Sequence, residues 1–203
     1  MKAEKFISMK AIFLTREFAL ATKTRLDAAS RKLKSLEKSE LIQFVTRGLW
    51  ANTNHPNYSV YSLTPYLVGA EQGYVSFLSA LQRHQVISQI PQRIFVATTG
   101  HGRKLNSKGA AFEFIQMNPK YMQSGIQWLN QDVTYGLATA EKALIDCLYI
   151  SSRRGRKFKD FPELDLSNIN QAQFLKLLKQ HEFPKRIENH IRQRFKELLS
   201  LSV

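Results

Sequence analysis

A single cysteine, Cys147, stands in 203 residues. That excludes an intrachain disulfide and fits a reducing cytosol. Acidic side chains are also scarce, with 16 Asp and Glu against 30 Lys and Arg. Few carboxylates are therefore on hand to converge on a cation, and no residue sits at a metal-ligand spacing from His55. Long apolar runs are missing as well. The opening MKAEKFISMKAIFLTREF is broken by Lys5, Lys10 and Arg16, so it holds no secretory core, and no run reaches the length of a bilayer. The glycine-bearing stretch GHGRKLNSKG (Gly100–Gly109) lacks the spacing of a phosphate-binding loop, and no helix pattern follows it. Internal repeats and low-complexity tracts are absent. These absences predict a globular cytoplasmic protein with no membrane partner, cofactor or metal.

What is abundant is positive charge. The formal net charge is +14 and the isoelectric point about 10.0. Residues 1–55 hold eleven basic and five acidic side chains, and residues 56–203 hold nineteen and eleven, so the excess runs through both parts. Such a balance draws a polyanion: nucleic acid, an anionic surface or an acidic protein.

The densest pattern lies between Thr15 and Asn52. Thr15 is a candidate cap for a short helix over Arg16–Ala21, and Thr24 for a longer one ending near Ser39. In the second, Leu26, Ala29, Leu33 and Leu36 recur at spacings of three and four and predict a buried stripe. The opposite face carries Thr24, Asp27, Ala28, Arg31, Lys34, Ser35 and Lys38, with Lys23, Arg25 and Lys32 beside it. Leu41–Val45 reads as a strand, Thr46-Arg47-Gly48 as a turn, and Leu49–Asn52 as the returning strand. With a first helix over Lys2–Leu14, closing the core through Phe6, Met9 and Phe13, this is the order of a winged helix-turn-helix. Arg47 would stand at the wing tip, where a phosphate contact is expected. The plainer alternative is a basic helical hairpin whose charges are merely solvated.

NTNHPNYS (Asn52–Ser59) has the composition of a linker, so the expected domains are 1–55 and 56–203. Beyond it the pattern predicts helices from Thr64-Pro65 to Gly69 and over Tyr74–His84. Strands are predicted over Gln92–Thr99, Ala111–Met117 and Val133–Leu137, the first two as an antiparallel hairpin around the 100–109 loop. Thr139 should cap a helix over Ala140–Ile150, with Cys147 an inert core thiol and Lys142 and Asp146 a structural pair. Helices over Asn170–Gln180, with Phe174, Leu175, Leu177 and Leu178 inward, and Pro184–Leu201 complete the chain. The expected fold class is α+β: the winged unit, then a mixed domain with a small antiparallel sheet and several helices. A second basic patch is read from Arg103 and Lys104 and from the run SSRRGRKFK, with Arg153, Arg154, Arg156 and Lys157.

Four segments taken together resemble a known family. They are FVTRGLWAN (Phe44–Asn52), GYVSFLSALQRHQVI (Gly73–Ile87), RIFVATT (Arg93–Thr99) and ATAEKALIDCLYI (Ala138–Ile150). The chain from about Phe13 to Ile150 is similar to the AbiEi antitoxins, predicted transcriptional regulators of viral defence systems. The resemblance implies an N-terminal winged helix that binds repeats upstream of its own operon and represses it. It also implies a C-terminal domain that counters a co-encoded nucleotidyltransferase-like toxin in abortive infection. Carried over, Thr24–Ser39 is the recognition helix and Thr46–Gly48 the wing tip. The sequence departs from the family pattern where a glycine often precedes the wing strand, because Glu40 follows Ser39 here.

The leading reading is therefore a non-enzymatic, DNA-binding antitoxin. Arg31 would enter the groove with Arg25, Ala28 and Lys32 beside it, and Lys23, Lys34, Lys38 and Arg47 would contact phosphates. Two alternatives stand against it. One is a nuclease-like enzyme with a winged targeting module, which would need Glu113, Asp132, Glu141 and Asp146 to converge. The other is a toxin-binding protein with only non-specific DNA affinity.

Overall fold

The computed structural model describes residues 1–130, 133–153 and 157–201. Within them lie eight α-helices and two sheets, one of three strands and one of six.

The three-stranded sheet belongs to the N-terminal unit. Helix α1 (Ala3–Met9) gives way at Lys10 to strand β1 (Ile12–Leu14), followed by α2 (Thr15–Thr22), α3 (Leu26–Lys38), β2 (Gln43–Thr46) and β3 (Leu49–Ala51). Strand β3 lies between the other two and is antiparallel to both. The single helix expected over Lys2–Leu14 is thus a helix and a strand. Lys10 is extended, and Ile12, Phe13 and Leu14 take partners in β3. Phe6 and Phe13 are buried as expected, whereas Met9 is exposed. Phe6 packs edge-on against Phe13 and Phe18, with centroids 5.2 and 5.5 Å away, and Leu33, Leu36 and Trp50 close the same core. Leu14, not Thr15, occupies the α2 cap position, and the Glu17 carboxylate accepts its N–H at 2.7 Å. The Thr15 hydroxyl instead accepts from Trp50 Nε1 at 2.9 Å, tying α2 to β3.

The chain continues through α4 (Thr64–Val68), β4 (Gly73–Val75), α5 (Phe77–Arg83), β5 (Ile94–Thr98), β6 (Arg103–Ser107) and β7 (Ala110–Gln116). It then forms β8 (Ile126–Leu129), β9 (Tyr135–Ala138), α6 (Ala140–Ser151), α7 (Gln171–Gln180) and α8 (Lys185–Leu201). The large sheet runs β6-β7-β5-β4-β9-β8 and is mixed. The expected small antiparallel sheet is corrected on this point. β5 and β7 are parallel neighbours, and the stretch taken as their loop contains β6, which forms the hairpin with β7. The helix expected over Tyr74–His84 begins only at Phe77, because Tyr74 and Val75 are held in the ladder between β5 and β9.

Alternation along the strands gives the sheet two covered faces. Val96, Phe112 and Phe114 face the N-terminal unit, packing with Ile12, Val45 and Leu49. Ala97, Ile115 and Met117 face the helices α5 to α8. The six-stranded sheet therefore lies between the N-terminal unit and the helical layer. Thr139 caps α6 as expected, its hydroxyl accepting from Lys142 N at 3.3 Å, and Asn170 caps α7, accepting from Gln173 N at 3.0 Å. On α7, Phe174, Leu177 and Leu178 are buried, but Leu175 is exposed.

Candidate nucleic-acid interface

Helix α2 ends when Lys23 turns left-handed at φ 54°, its N–H bonded to the carbonyls of Ala19 and Leu20. Thr24 N returns to Ala19 O at 3.0 Å, and α3 begins two residues later. The link is therefore three residues, Lys23 to Arg25, the length of a helix-turn-helix connection. Arg25 takes the cap position without a side-chain bond, because the Thr24 hydroxyl is engaged with that of Thr22 at 2.9 Å. The helix is thus shorter than the predicted Thr24–Ser39, and it lacks the threonine cap.

Ala29, Leu33 and Leu36 are the buried stripe of α3. Leu26, read from its spacing as core, is 57% exposed instead, because the helix starts there and its side chain projects past the end of the packed stripe. Lys23, Thr24, Arg25, Arg31, Lys32, Lys34, Ser35 and Lys38 are all exposed, and Ala28 is half-buried among them. One acidic group interrupts this surface. Asp27 lies 3.6 Å from Arg25 Nε and 3.5 Å from Arg31 Nη2. Exposed pairs of this kind contribute little to stability. What this one does is draw two guanidinium groups toward each other at the start of the helix, a role that spacing alone did not reveal.

After α3 the chain climbs through β2 to the turn at Arg47 and Gly48. Gly48 has φ 80°, a conformation that favours glycine, and it leaves Arg47 exposed at the tip. Thr15 N donates to Gly48 O at 2.9 Å, so the turn is tied back to the start of α2. The basic helix face and the turn arginine thus belong to one rigidly connected unit.

The second basic patch fares differently. Arg103 donates to Leu67 O at 2.6 Å, lies 3.8 Å from Glu71, and covers the Phe114 ring at 4.2 Å. Lys104 is exposed and pairs across the ladder with Glu113, whose carboxylate bonds Lys157. Arg153 lies 5.6 Å from the Tyr149 ring centroid. Arg154 and Arg156 lie outside the described residues. Arg103, Lys104 and Lys157 line one small pocket, so the two stretches do meet. Two of those charges are paired with Glu71 and Glu113, which offsets part of the positive charge there. Counting charge in sequence cannot see such pairings.

The scattered carboxylates are also taken. Glu141 accepts Asn170 N at 3.0 Å, Glu113 holds Lys157, and Asp146 is buried against Lys142; Asp132 lies outside the described residues. Among the described residues, no three His, Cys, Asp or Glu side chains gather as metal ligands. Asp146 is the centre of a polar cluster inside the helical layer. It bonds Lys142 Nζ and accepts the Tyr74 hydroxyl at 3.0 Å and the Ser76 hydroxyl at 2.7 Å, while Lys142 Nζ donates to Tyr121 O at 2.8 Å. Burial lowers the Lys142 ammonium, opposed by Asp146, and raises the Tyr74 phenol and the Cys147 thiol well above their ordinary values.

His181 packs beside this cluster against Tyr121 and Phe183, only 3% exposed. Burial, with the Lys142 charge adding to it, lowers its pKa from 6.5 to about 3. Between those values the unfolded chain takes up a proton that the folded chain refuses, so stability falls as the pH is lowered. The expected loss is about 2 kcal/mol from pH 7 to pH 5. A His181→Phe variant should lose that much less than the parent in urea titrations at the two pH values.

No model of a known protein family matches the chain, and no curated protein matches it. No helix of the described residues is long and apolar enough to cross a membrane.

Proposed function

We propose that residues 1–55 are a winged helix-turn-helix that binds duplex DNA, with α3 as the recognition helix and the β2–β3 turn as the wing. One observation carries this reading. A three-residue turn joins α2 to a helix whose outward face is basic, and a turn with an exposed arginine follows in the same small unit. A helix of this size fits the major groove, and a turn beside it meets the backbone. Arg31, Arg25 and Lys32 reach base edges, with Ala28 allowing close approach. Lys23, Thr24, Lys34, Ser35, Lys38 and Arg47 hold phosphates. Exposed Leu26 adds an apolar contact suited to a thymine methyl group.

On this reading the chain is a cytoplasmic transcriptional regulator, and the resemblance to the AbiEi antitoxins supplies its setting. It represses its own operon by binding repeats upstream, and residues 56–203 counter a co-encoded nucleotidyltransferase-like toxin. The test is a reporter gene behind the DNA upstream of this chain's own gene. Expression of the chain should silence the reporter, and Arg31→Ala should release it. In the same cells, the full chain is expected to protect from the toxin as well, and Arg31→Ala to keep that protection while losing repression. A reporter indifferent to the full chain would count against the proposal.

A further inference from the structure

The two edges of the six-stranded sheet are built differently. At one, β6 opens with Arg103 and Lys104, and charge on an edge strand discourages pairing with another chain. At the other, β8 reads Ile-Gln-Trp-Leu, with Gln127 and Trp128 exposed and no Pro or charge to guard it. Residues 121–131 contain no Asp, Glu, Lys or Arg at all, in a chain of net charge +14. Trp128 is 64% exposed, an unusual state for a tryptophan in a strand.

Beside β8 the sheet surface opens into a groove of about 440 Å³, lined by Pro65, Val68, Met122, Ile126 and Trp128, with Glu71, paired to Arg103, also in its wall. Gly136 lies opposite Trp128 in the ladder. A Cβ there would sit 2.9 Å from the Tyr74 Cβ and 3.1 Å from Ile126, so glycine lets β4 and β9 approach closely beneath the indole. An unguarded edge and a largely apolar groove with a large aromatic at its rim thus occur together, on a stretch without charge in a strongly basic protein.

The charge decides what fits. An acidic protein or a nucleic acid would seek cations, which β8 lacks. A second copy of this chain meets the opposite condition, because two bodies of +14 attract only where neither presents charge. Antiparallel pairing of a strand with itself is also self-complementary, which a two-fold interface requires. We infer that β8 pairs with β8 of a second copy across a two-fold axis, joining the sheets and covering both Trp128 side chains. This inference does not depend on the DNA-binding reading.

The test is sedimentation equilibrium of the full chain from low to high micromolar concentration in moderate salt. The mass should rise from 23.4 kDa toward twice that value. Trp50 is buried, so a blue shift of tryptophan emission over the same range reports Trp128. Gln127→Lys and Trp128→Lys should each weaken association at least tenfold with an unchanged circular-dichroism spectrum. Gln127 is exposed, so that variant keeps the test clear of folding. A parent that stays at 23.4 kDa, or a dimer that survives both substitutions, overturns the inference.

Discussion

Replacing Asp146 by alanine is expected to destabilise the fold by about 3–5 kcal/mol, the usual consequence of removing one partner from a buried ion pair. Asp146 and Lys142 are both fully buried, and Asp146 also accepts the hydroxyls of Tyr74 and Ser76. The substitution strands an ammonium among apolar side chains and leaves those hydroxyls without their acceptor. Shedding the Lys142 proton relieves part of the cost, which places the effect below the full expense of a bare buried charge. The double variant Lys142→Met with Asp146→Leu removes both charges and fills the space. It should recover most of the loss, since apolar replacement of a whole buried pair is often neutral or stabilising. Urea denaturation of the parent, the single and the double variant measures both effects. A single-variant loss below about 1 kcal/mol would mean that the pair is not insulated from water.

The second large effect concerns DNA. Arg31→Ala is expected to weaken binding to the correct site by about 1–3 kcal/mol, roughly 5- to 150-fold, while a scrambled duplex loses much less. Lys34→Ala and Arg47→Ala should behave otherwise, lowering affinity for every duplex alike and reducing the salt slope by about one each. The contrast separates groove entry from backbone holding. Asp27 sharpens it, because its carboxylate lies within 3.6 Å of both Arg25 and Arg31. Removing that negative charge should raise affinity for any duplex while narrowing the preference for the correct one. Anisotropy titrations on two duplexes at two salt concentrations read all of these. Equal losses on both duplexes for Arg31→Ala would remove it from the base-reading group.

The outward face of α3 was legible because helical period and charge act within a dozen residues. Ala29, Leu33 and Leu36 had to turn inward, and that alone sends Arg31, Lys34 and Lys38 outward. The turn at Gly48 and the cap at Thr139 were equally local. What escaped was decided at long range. A short apolar run such as Ala11–Leu14 suits either a helix or a strand, and pairing with β3 decides it. The same holds for Tyr74 and Val75. The parallel pairing of β5 with β7 sets strands next to each other that an intervening strand separates in sequence, so no local pattern encodes it. Lys142 and Asp146 read as a structural pair at helical spacing, with no depth assigned. Their depth follows from α6 being enclosed by the sheet and by α7 and α8, so that residues 140–149 are all buried. Arg103 and Lys157 read as free cations, and only the fold sets Glu71 and Glu113 beside them.

The central claim is that the basic face of α3 reads sequence and does not simply adhere to polyanions. The most direct test is fluorescence anisotropy of the purified chain on the duplex from upstream of its own gene, against a scrambled duplex of equal length, at physiological salt. The account predicts at least a hundredfold preference for the native duplex. Equal binding to both that disappears as salt is raised would contradict it, because the +14 charge alone would then explain the attraction.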